Sequence, residues 1–284
     1  RREIIPRSNR EEIMIKLIAS DIDGTLLPKG QKTIDEDTLR VVSEILDNGI
    51  EFCAISGRPR NSVMNLFAPV ADRIWVISDN GTILWEKGRT NKIAQLFEIR
   101  RDCAESLARA LISFPYCEVT ISTAEGHFLW AKNADLGQQL GKFFSVAPKP
   151  VADFSEVTGA ITKVSAYCYD LASPHIKDFT ETWGKTFHVA QADLEWIDFT
   201  FGDKGSGLAA LCKKTSISSH DTAAFGDNYN DLPMLELVQY PFIHTSASAP
   251  LRMHIPEHRS TLHEVYDFIQ EVNRRENYSA DASL

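Results

Sequence analysis

Two carboxylates, Asp21 and Asp23, stand two residues apart directly after the short apolar run Leu17-Ile18-Ala19. Such a run predicts a buried strand of a parallel sheet, and ligands of open α/β sheets lie outside the carboxyl ends of the strands. Residues i and i+2 of an extended chain point to the same side, so both acids are expected to approach one reacting group. The alternative is a polar strand end with the turn that Gly24 allows.

Three further polar clusters stand at predicted strand ends or helix starts. They are Ser56-Gly57, Lys204-Gly205 and the stretch from Asp227 to Asp231. Carboxylates close together repel one another unless a cation is present, and ligands that are all oxygen favour Mg²⁺. Lys204 and the Ser56 hydroxyl supply what the anionic oxygens of a phosphate need. Taken alone, Ser56-Gly57 is more simply a strand-to-helix turn.

This set of residues predicts phosphoryl transfer. Asp21 would attack phosphorus, since a carboxylate is an accepted nucleophile for an aspartyl-phosphate intermediate. Asp23 would protonate the leaving oxygen and later activate water. A cation would offset the charge of the nucleophile and of the phosphoryl oxygens, which otherwise repel each other.

The elements that must position these residues alternate between strand and helix. Spacing of apolar residues predicts strands at 17–19, 50–55, 74–77, 196–200, 222–225 and 241–244, and helices at 35–48, 60–67, 204–212, 232–237 and from Thr261 onward. Asn80-Gly81 predicts a tight hairpin turn, with 83–85 as the returning strand. The fold class is therefore α/β, with a Rossmann-like parallel sheet core and helices on both faces.

The middle of the chain has a different pattern. Helices are predicted at 103–114, 134–144 and 175–183, and strands at 118–122, 127–130, 161–167 and 187–190. Hairpins with helices are typical of an α+β unit with an antiparallel sheet. We therefore expect a core domain of residues 14–85 and 195–275, an inserted α+β cap domain of residues 86–194, and an N-terminal tail of residues 1–13.

Composition excludes several classes of partner. The 284 residues have a net charge of −9 and a pI of about 5.4, with no basic stripe, which argues against nucleic acid. No apolar run approaches the roughly 20 residues that span a bilayer, and the N-terminal residues lack the apolar core of a signal peptide. The five scattered cysteines predict free thiols in a reducing cytoplasm.

The four motifs, taken in order, resemble those of the haloacid dehalogenase superfamily. The resemblance rests on Asp21-Ile22-Asp23-Gly24-Thr25, Ser56-Gly57-Arg58, Lys204-Gly205 and Gly226-Asp227-Asn228-Tyr229-Asn230-Asp231. Their spacing is similar to that of the Cof-type phosphatases, in which a large α/β cap is inserted between the second and third motifs. Asn80-Gly81 resembles the Asn-Gly usually found just before this cap.

The resemblance implies a role for each matching residue. Asp21 would be the nucleophile and a Mg²⁺ ligand, and Asp23 would be the general acid/base with its backbone carbonyl on the metal. Asp227 would be the third ligand, and Asp231 would hold a metal-bound water or orient Lys204. The phosphate would be bound by Ile22, Ser56, the Gly57 N–H, Lys204 and Asn230. Arg58 and Asn80 would support the site, Arg58 by touching substrate or by pairing with a carboxylate.

One stretch departs from the family pattern. After the fourth motif the family usually has a Met-Gly-Asn-Ala turn, but residues 244–249 here are His-Thr-Ser-Ala-Ser-Ala. The asparagine is missing, which puts a substrate contact from this loop in question.

Several other residues invite a functional interpretation. His254 and His258 would suit a metal on a regular helix, but Pro256 lies between them. Glu125-Gly126-His127 is a predicted hairpin tip that could close over the site and contact the leaving group. Four aromatic residues would either stack on substrate or, more simply, pack in the core: Phe128, Trp130, Phe143 and Phe144.

These observations predict a Mg²⁺-dependent phosphatase of small phosphorylated metabolites, of the sugar-phosphate type, with cofactor or nucleotide phosphates as the alternative substrates. One alternative is a phosphotransferase such as a mutase, which passes the phosphoryl group to a second hydroxyl. Another is a non-catalytic regulatory binding module, against which the intact Asp21, Asp23, Lys204 and Asp227 argue.

Overall fold

The strand that precedes the two carboxylates lies inside an eight-stranded sheet. The computed structural model describes residues 14–88, 91–133, 135–140, 147–192 and 194–281. The strands in these ranges are β1 (Leu17–Ser20), β2 (Glu51–Ile55), β3 (Trp75–Ser78), β4 (Ile83–Trp85), β5 (Ile93–Leu96), β6 (Cys117–Thr123), β7 (His127–Trp130), β8 (Lys149–Val151), β9 (Ile161–Cys168), β10 (His188–Gln191), β11 (Trp196–Thr200), β12 (Thr222–Gly226), β13 (Tyr240–His244) and β14 (His258–Arg259). The α-helices are α1 (Glu36–Asp47), α2 (Arg60–Leu66), α3 (Arg101–Ser113), α4 (Leu136–Leu140), α5 (Ile176–Trp183), α6 (Lys204–Thr215), α7 (Leu232–Leu237), α8 (Ala249–His254) and α9 (Leu262–Asp281).

The first sheet has the strand order β14-β13-β12-β1-β2-β3-β4-β5. The six strands from β14 to β3 in this order pair in parallel. After the turn at Asp79–Gly81, β4 pairs antiparallel with β3, and β5 pairs antiparallel with β4. Alternate residues of its strands face opposite sides. Ile18 and Phe52 pack with α1 and α9, whereas Leu17 and Cys53 pack with α6 and α7. Helices therefore cover both faces, which confirms the predicted parallel core and the predicted hairpin.

The second sheet has six strands in the order β10-β11-β9-β6-β7-β8. Its pairs are antiparallel except β7 with β8. Val119, Val164 and Ile197 face a hydrophobic cluster that includes Leu107 of α3 and Phe179 of α5. This arrangement of an antiparallel sheet with helices on one face confirms the predicted α+β pattern of the middle of the chain.

Two strands lie in a different sheet from the one predicted. Residues 196–200 were expected in the first sheet, but β11 pairs with β10 and β9 in the second sheet, with Trp196 opposite Tyr167. Conversely, β5 falls within the predicted cap range and pairs with β4 in the first sheet. The backbone N–H of Phe97 bonds to Thr82 in the first sheet, and that of Ile99 bonds to Ile161 in the second. We infer that the inserted cap runs from about 99 to 200 rather than over 86–194.

Other predicted elements are present with small shifts of their ends. Of the predicted helix at 134–144, the structure describes α4, and Phe143 and Phe144 lie outside the described residues. The predicted tail, residues 1–13, also lies outside them. In the described part of the chain, no helix combines the length and the apolar character needed to cross a bilayer.

Candidate active site

Four polar loops meet at one edge of the first sheet. Because β12, β1, β2 and β3 lie side by side and run parallel, their carboxyl ends share this edge. Asp21 follows β1, Ser56 follows β2, Asn80 lies in the turn after β3, and Asp227 follows β12. Lys204 is the first residue of α6.

A close backbone contact brings α6 to this edge. Gly81 has a φ of 99°, and a Cβ on it would lie 1.9 Å from the carbonyl oxygen of Asp203, the residue that caps α6. A side chain at position 81 would therefore push the start of α6 away from the β3–β4 turn. The close approach places Lys204 within reach of the end of β1.

Asp21 is buried and paired with a buried cation. The side chain of Lys204 is 1% exposed, and its Nζ lies 2.5 Å from Oδ1 of Asp21. Asp21 Oδ2 is buried without a hydrogen-bond partner among the described residues. Burial raises the pKa of Asp21 to about 7; Lys204 opposes the rise, and the charges of Asp231 and Asp227 add to it. One carboxylate oxygen is thus held by Lys204 and the other is left for a ligand.

Asp231 organises its neighbours through both of its carboxylate oxygens. Oδ1 accepts a hydrogen bond from Lys204 Nζ at 2.6 Å, and Oδ2 accepts the backbone N–H groups of Asp227 and Asn228, each at 2.9 Å. Its side chain is 0% exposed. Of the two roles predicted for Asp231, these contacts correspond to orienting Lys204.

The carboxylates around Asp21 form a set of oxygen donors. Ligand atoms of Asp21, Asp227 and Asp231 all lie within 4.8 Å of one another. Asp227 is half-buried, accepts a hydrogen bond from Thr25 Oγ1 at 3.1 Å, and has a pKa raised by burial and then by Asp231. Because these donors are all hard oxygens and Asp21 Oδ2 is unsatisfied, the residues present fit Mg²⁺.

Gly24 sets the position of Asp227. Its φ is 91°, and an added Cβ would lie 2.3 Å from Oδ2 of Asp227. Gly24→Ala should displace that carboxylate and lower Mg²⁺ affinity at least about tenfold, because ligand geometry decides metal binding. The matched control is Gly30→Ala, since Gly30 has a φ of 87° but nothing within 4 Å of an added Cβ. Titration of each variant with Mg²⁺ checks this; equal affinities in the two variants would contradict it.

Asp23 is more exposed than the buried carboxylates and has a different partner. Its side chain is 51% exposed and forms a two-bond ion pair with Arg58, from Nε to Oδ2 at 2.7 Å and from Nη2 to Oδ1 at 2.6 Å. Strand β1 ends before Asp23. The backbone carbonyl of Ile22 accepts hydrogen bonds from the N–H groups of residues 25–27, which form a tight turn. Asp21 and Asp23 nevertheless line the same cavity, and their approach to one reacting group stays a prediction. Arg58 pairs with a carboxylate, one of its two predicted roles.

The remaining predicted phosphate ligands lie in adjoining loops. Ser56 is buried, and its Oγ accepts the Arg58 N–H at 3.1 Å. Asn80 has a left-handed φ of 56° and accepts a hydrogen bond from Asn230 Nδ2 at 3.3 Å. An added Cβ on Gly57 would lie 2.9 Å from Asn80 Oδ1, so these loops are in close contact. The side chain of Ile22 is buried in the core, so only its backbone can face a ligand.

A cavity of about 1320 Å³ lies over these loops. Asp21, Asp23 and Asp227 line its first-sheet side, and Glu125 and His127 of the β6–β7 hairpin line its second-sheet side. Phe128 and Trp130 both pack on the cluster under the second sheet, as the simpler interpretation predicted, although Phe128 also lines the cavity. The β6–β7 hairpin therefore lies at the cavity, as predicted, whereas its contact with the leaving group stays a prediction.

The other sequence candidates lie elsewhere. His254 Nε2 contacts Glu236, whereas His258 Nε2 contacts the carbonyl oxygens of Arg252 and Ile255, so the two imidazoles do not share a site. None of residues 244–249 lines this cavity. Sequence reasoning missed Lys163 and Asp198, which line the cavity from the second sheet and form an ion pair of 2.9 Å.

The chain is similar in sequence and in fold to several known proteins. A family model described as haloacid dehalogenase-like hydrolase matches residues 18–256. Phosphatase YwpJ of Bacillus subtilis is 25% identical over 251 residues, covering 78% of this chain and 86% of that protein. The 5-amino-6-(5-phospho-D-ribitylamino)uracil phosphatase YbjI of Escherichia coli is 24% identical over 242 residues, covering 83% and 87%. A solved structure from Eubacterium rectale is similar with a TM-score of 0.78 and 26% identity, covering 91% of this chain and 99% of that one.

The matched range includes all four motifs and most of both sheets. It spans well over half of the chain, and two of the similar proteins are named phosphatases, as the resemblance to the Cof-type branch predicted. The chain therefore belongs to the haloacid dehalogenase-like hydrolase family.

Proposed function

We propose that this protein is a Mg²⁺-dependent phosphatase of small phosphorylated metabolites that works through an aspartyl-phosphate intermediate. The observation that supports it most is Asp21: a buried carboxylate with one unpartnered oxygen, beside the Lys204 ammonium and at the floor of a large cavity. A cytoplasmic location remains a prediction from the five cysteines, all of which are free thiols.

In the first step, a carboxylate oxygen of Asp21 attacks phosphorus, and the bond between phosphorus and the ester oxygen breaks. The leaving oxygen takes a proton from Asp23, which Arg58 positions at the cavity. Lys204, Ser56, Asn230 and backbone N–H groups would bind the phosphoryl oxygens, because these donors stabilise the charge that develops there.

In the second step, water attacks the phosphorus of the aspartyl-phosphate. Asp23 takes a proton from that water, the bond between phosphorus and the Asp21 oxygen breaks, and inorganic phosphate leaves. The half-exposed position of Asp23 suits this role, since it has to exchange protons with water and with leaving groups. Asp21 returns to its ionised form beside Lys204.

Asp21, Asp227 and the backbone carbonyl of Asp23 would hold Mg²⁺, with Asp231 bound instead to Lys204 and to backbone N–H groups. When bound, the cation offsets the repulsion between the anionic nucleophile and the anionic phosphate. Excess EDTA should lower phosphate release about 10²-fold to 10³-fold, and Mg²⁺ should restore it, because removing one charge stabiliser costs this order of rate. Full activity in EDTA would contradict the proposed metal role.

The test of the function is phosphate release from a panel of phosphorylated metabolites, run with Mg²⁺ and with EDTA. Turnover of some ester that depends on Mg²⁺ supports the proposal, and the best ester identifies the substrate class. YbjI acts, by its name, on a phospho-D-ribityl compound, so ribityl and sugar phosphates belong on the panel. Phosphate found on an added acceptor sugar instead of in solution would indicate a phosphotransferase. Silence on the whole panel, together with no adduct with beryllium fluoride, would favour a binding module.

A further inference from the structure

Two cysteines of the second sheet lie opposite each other on neighbouring strands. Cys117 is the first residue of β6 and Cys168 is the last residue of β9, and the two are paired in the strand register. Their Sγ atoms lie 3.7 Å apart, and both side chains are buried. They pack in the hydrophobic cluster of α3 and α5, on the face opposite to the one that lines the cavity. The pair is therefore separate from the proposed catalytic machinery.

The position of the pair in the sheet brings the two backbones close together. The backbone N–H groups of Cys117 and Cys168 donate to carbonyl oxygens outside the pair, whereas the flanking Tyr169 N–H donates to the carbonyl of Tyr116 at 3.0 Å. The cysteines are thus a non-hydrogen-bonded pair, in which the Cα atoms of antiparallel strands are about 4.5 Å apart. This separation lies within the range of about 4.4–6.8 Å that a disulfide requires.

A bond between the two sulfurs needs only a small movement. Bonded sulfurs are about 2.0 Å apart, so the two Sγ atoms have to approach each other by about 1.7 Å. Rotation about the Cα–Cβ bonds supplies this approach without a change of strand register. The bond would link residues 51 apart in the sequence. A link of this span restricts the unfolded chain and so stabilises the folded one.

The two thiols differ in acidity. The hydrogen bond that the Cys117 thiol donates to the Cys168 sulfur lowers the pKa of Cys168. The same hydrogen bond, and then burial, raises the pKa of Cys117. Because the thiolate is the form that attacks a disulfide, Cys168 is the first nucleophile of the pair and Cys117 is the thiol that reacts second.

A small oxidant can reach the pair from the end of the sheet, because strand ends open locally at a lower free energy than strand centres. The loop directly after Cys168 is exposed, with Tyr169 at 46% and Leu171 at 45%. Leu171 has a left-handed φ of 80°, which strains the backbone of a leucine. Its N–H donates to the carbonyl of Cys168 at 3.3 Å. Release of this strained turn therefore loosens the residue that carries the first nucleophile.

We propose that Cys117 and Cys168 form a reversible disulfide under oxidising conditions, which fixes β6 to β9 in the second sheet. The oxidant is a small disulfide such as glutathione disulfide. The Cys168 thiolate attacks one of its sulfurs, the S–S bond of the oxidant breaks, and one glutathione leaves and takes the proton of Cys117. Cys117 then attacks the Cys168 sulfur, and the second glutathione leaves and takes up the proton that Cys168 had released. Two cysteine thiols are oxidised, and one disulfide is reduced to two thiols.

The disulfide would join strands that also line the cavity. Thr120 of β6 and Ser165 of β9 are paired in the same ladder, and both line the cavity from the other face of the sheet. In a reducing compartment the pair stays reduced, so the disulfide forms only when the compartment becomes oxidising. The oxidised protein should then resist thermal unfolding, with a melting temperature roughly 5–10 °C above that of the reduced protein.

The experiment incubates the folded full chain with glutathione disulfide, blocks the remaining thiols, and maps the peptides by mass spectrometry without reduction. Native protein should lose two of its five thiols and give one linked peptide that contains Cys117 and Cys168. Dithiothreitol should restore both thiols and the melting temperature of the reduced protein. Cys117→Ala should give no linked peptide, and its melting temperature should not rise on oxidation.

Two other cysteines supply the matched controls. Cys103 is partly exposed, so it takes up the oxidant first if exposure alone sets the reaction. Cys212 is buried, and its sulfur lies 3.8 Å from the Thr222 hydroxyl. Cys103→Ala and Cys212→Ala should both form the linked peptide and gain the native rise in melting temperature.

The mapping of native protein alone can overturn the inference, so the test does not depend on whether a variant folds. Native protein that keeps all five thiols, or that carries glutathione on Cys103 alone, would show that the buried pair is only part of the packing. A linked peptide without a rise in melting temperature would overturn the stabilising role of the bond. Each of these results leaves the proposed phosphatase function untouched, because neither Cys117 nor Cys168 lines the cavity.

Discussion

Asp21→Asn is expected to lower kcat for phosphate release at least about 10⁴-fold, the scale found when a covalent nucleophile is removed. The amide has nearly the same shape, and its oxygen can still accept the hydrogen bond that Lys204 donates to Asp21 Oδ1. It cannot form the acyl phosphate, because an amide oxygen is a poor nucleophile and a neutral one. Phosphate release from the best ester of the panel measures the effect.

The fold of Asp21→Asn should remain intact. Burial raises the pKa of Asp21 to about 7, so in metal-free protein the ionised carboxylate costs free energy that the unfolded chain does not incur. Because folded protein binds the proton more tightly here, stability from this group falls as pH rises from about 4 to about 7. Asp21→Asn removes the charge, and its melting temperature in EDTA at about pH 8 should equal or exceed that of native protein.

Asp72→Asn serves as the matched control, because Asp72 is exposed and does not line the cavity. It should keep native kcat and native melting temperature. Retention by Asp21→Asn of more than about a hundredth of native activity, with the same Mg²⁺ dependence, would show that another group attacks phosphorus.

Much of the catalytic edge could be predicted from the sequence, because its positions follow from local rules. Asp21, Ser56 and Asp227 each follow a short apolar run, and parallel strands bring such ends together. The Lys204 position follows from a helix start that Asp203 caps. The two-bond ion pair of Asp23 could not be derived from local rules, since it depends on the turn that follows β1 and on Arg58, 35 residues away.

The assignment of β11 shows a second kind of limit. Trp-Ile-Asp-Phe-Thr is an apolar run broken by one acid, which fits a strand but does not say which sheet it joins. Its place depends on pairing with β9 and β10, so it is a tertiary property. Alternation offered one clue: Ile197 and Phe199 face the hydrophobic cluster while Asp198 faces away, which indicates a sheet with one polar face.

The same limit hid the polar side chains of the second sheet that line the cavity. Lys163 and Ser165 alternate with Val164 and Ala166, which predicts a half-buried strand. From the sequence alone, the polar side of such a strand would be expected to face solvent. That side faces the cavity only because the second sheet lies over the first. Lys163 and Asp198, 35 residues apart in the sequence, then form an ion pair across neighbouring strands.

Lys204→Met is expected to destabilise the protein by about 3–5 kcal/mol, the cost of breaking a buried ion pair by removing one partner. Lys204 Nζ contacts Asp21 Oδ1 at 2.5 Å and Asp231 Oδ1 at 2.6 Å, and no other lysine or arginine in the described part of the chain pairs with either acid. Methionine has a similar length but no charge, so it leaves two adjacent carboxylates buried. Urea unfolding in EDTA at about pH 8 measures the loss.

The loss should depend on pH and on metal in a way that a simple packing defect would not. Without Lys204 the pKa of Asp21, already raised by burial, should rise further, so protonation at about pH 5 should remove part of the cost. Added Mg²⁺ should stabilise Lys204→Met more than native protein, because a cation replaces the missing charge between the acids. Lys213→Met, on the exposed side of the same helix, should change stability by less than about 0.5 kcal/mol. A Lys204→Met protein as stable as native, or one whose loss is the same at both pH values, would mean that the charge of Lys204 does not hold the catalytic edge together.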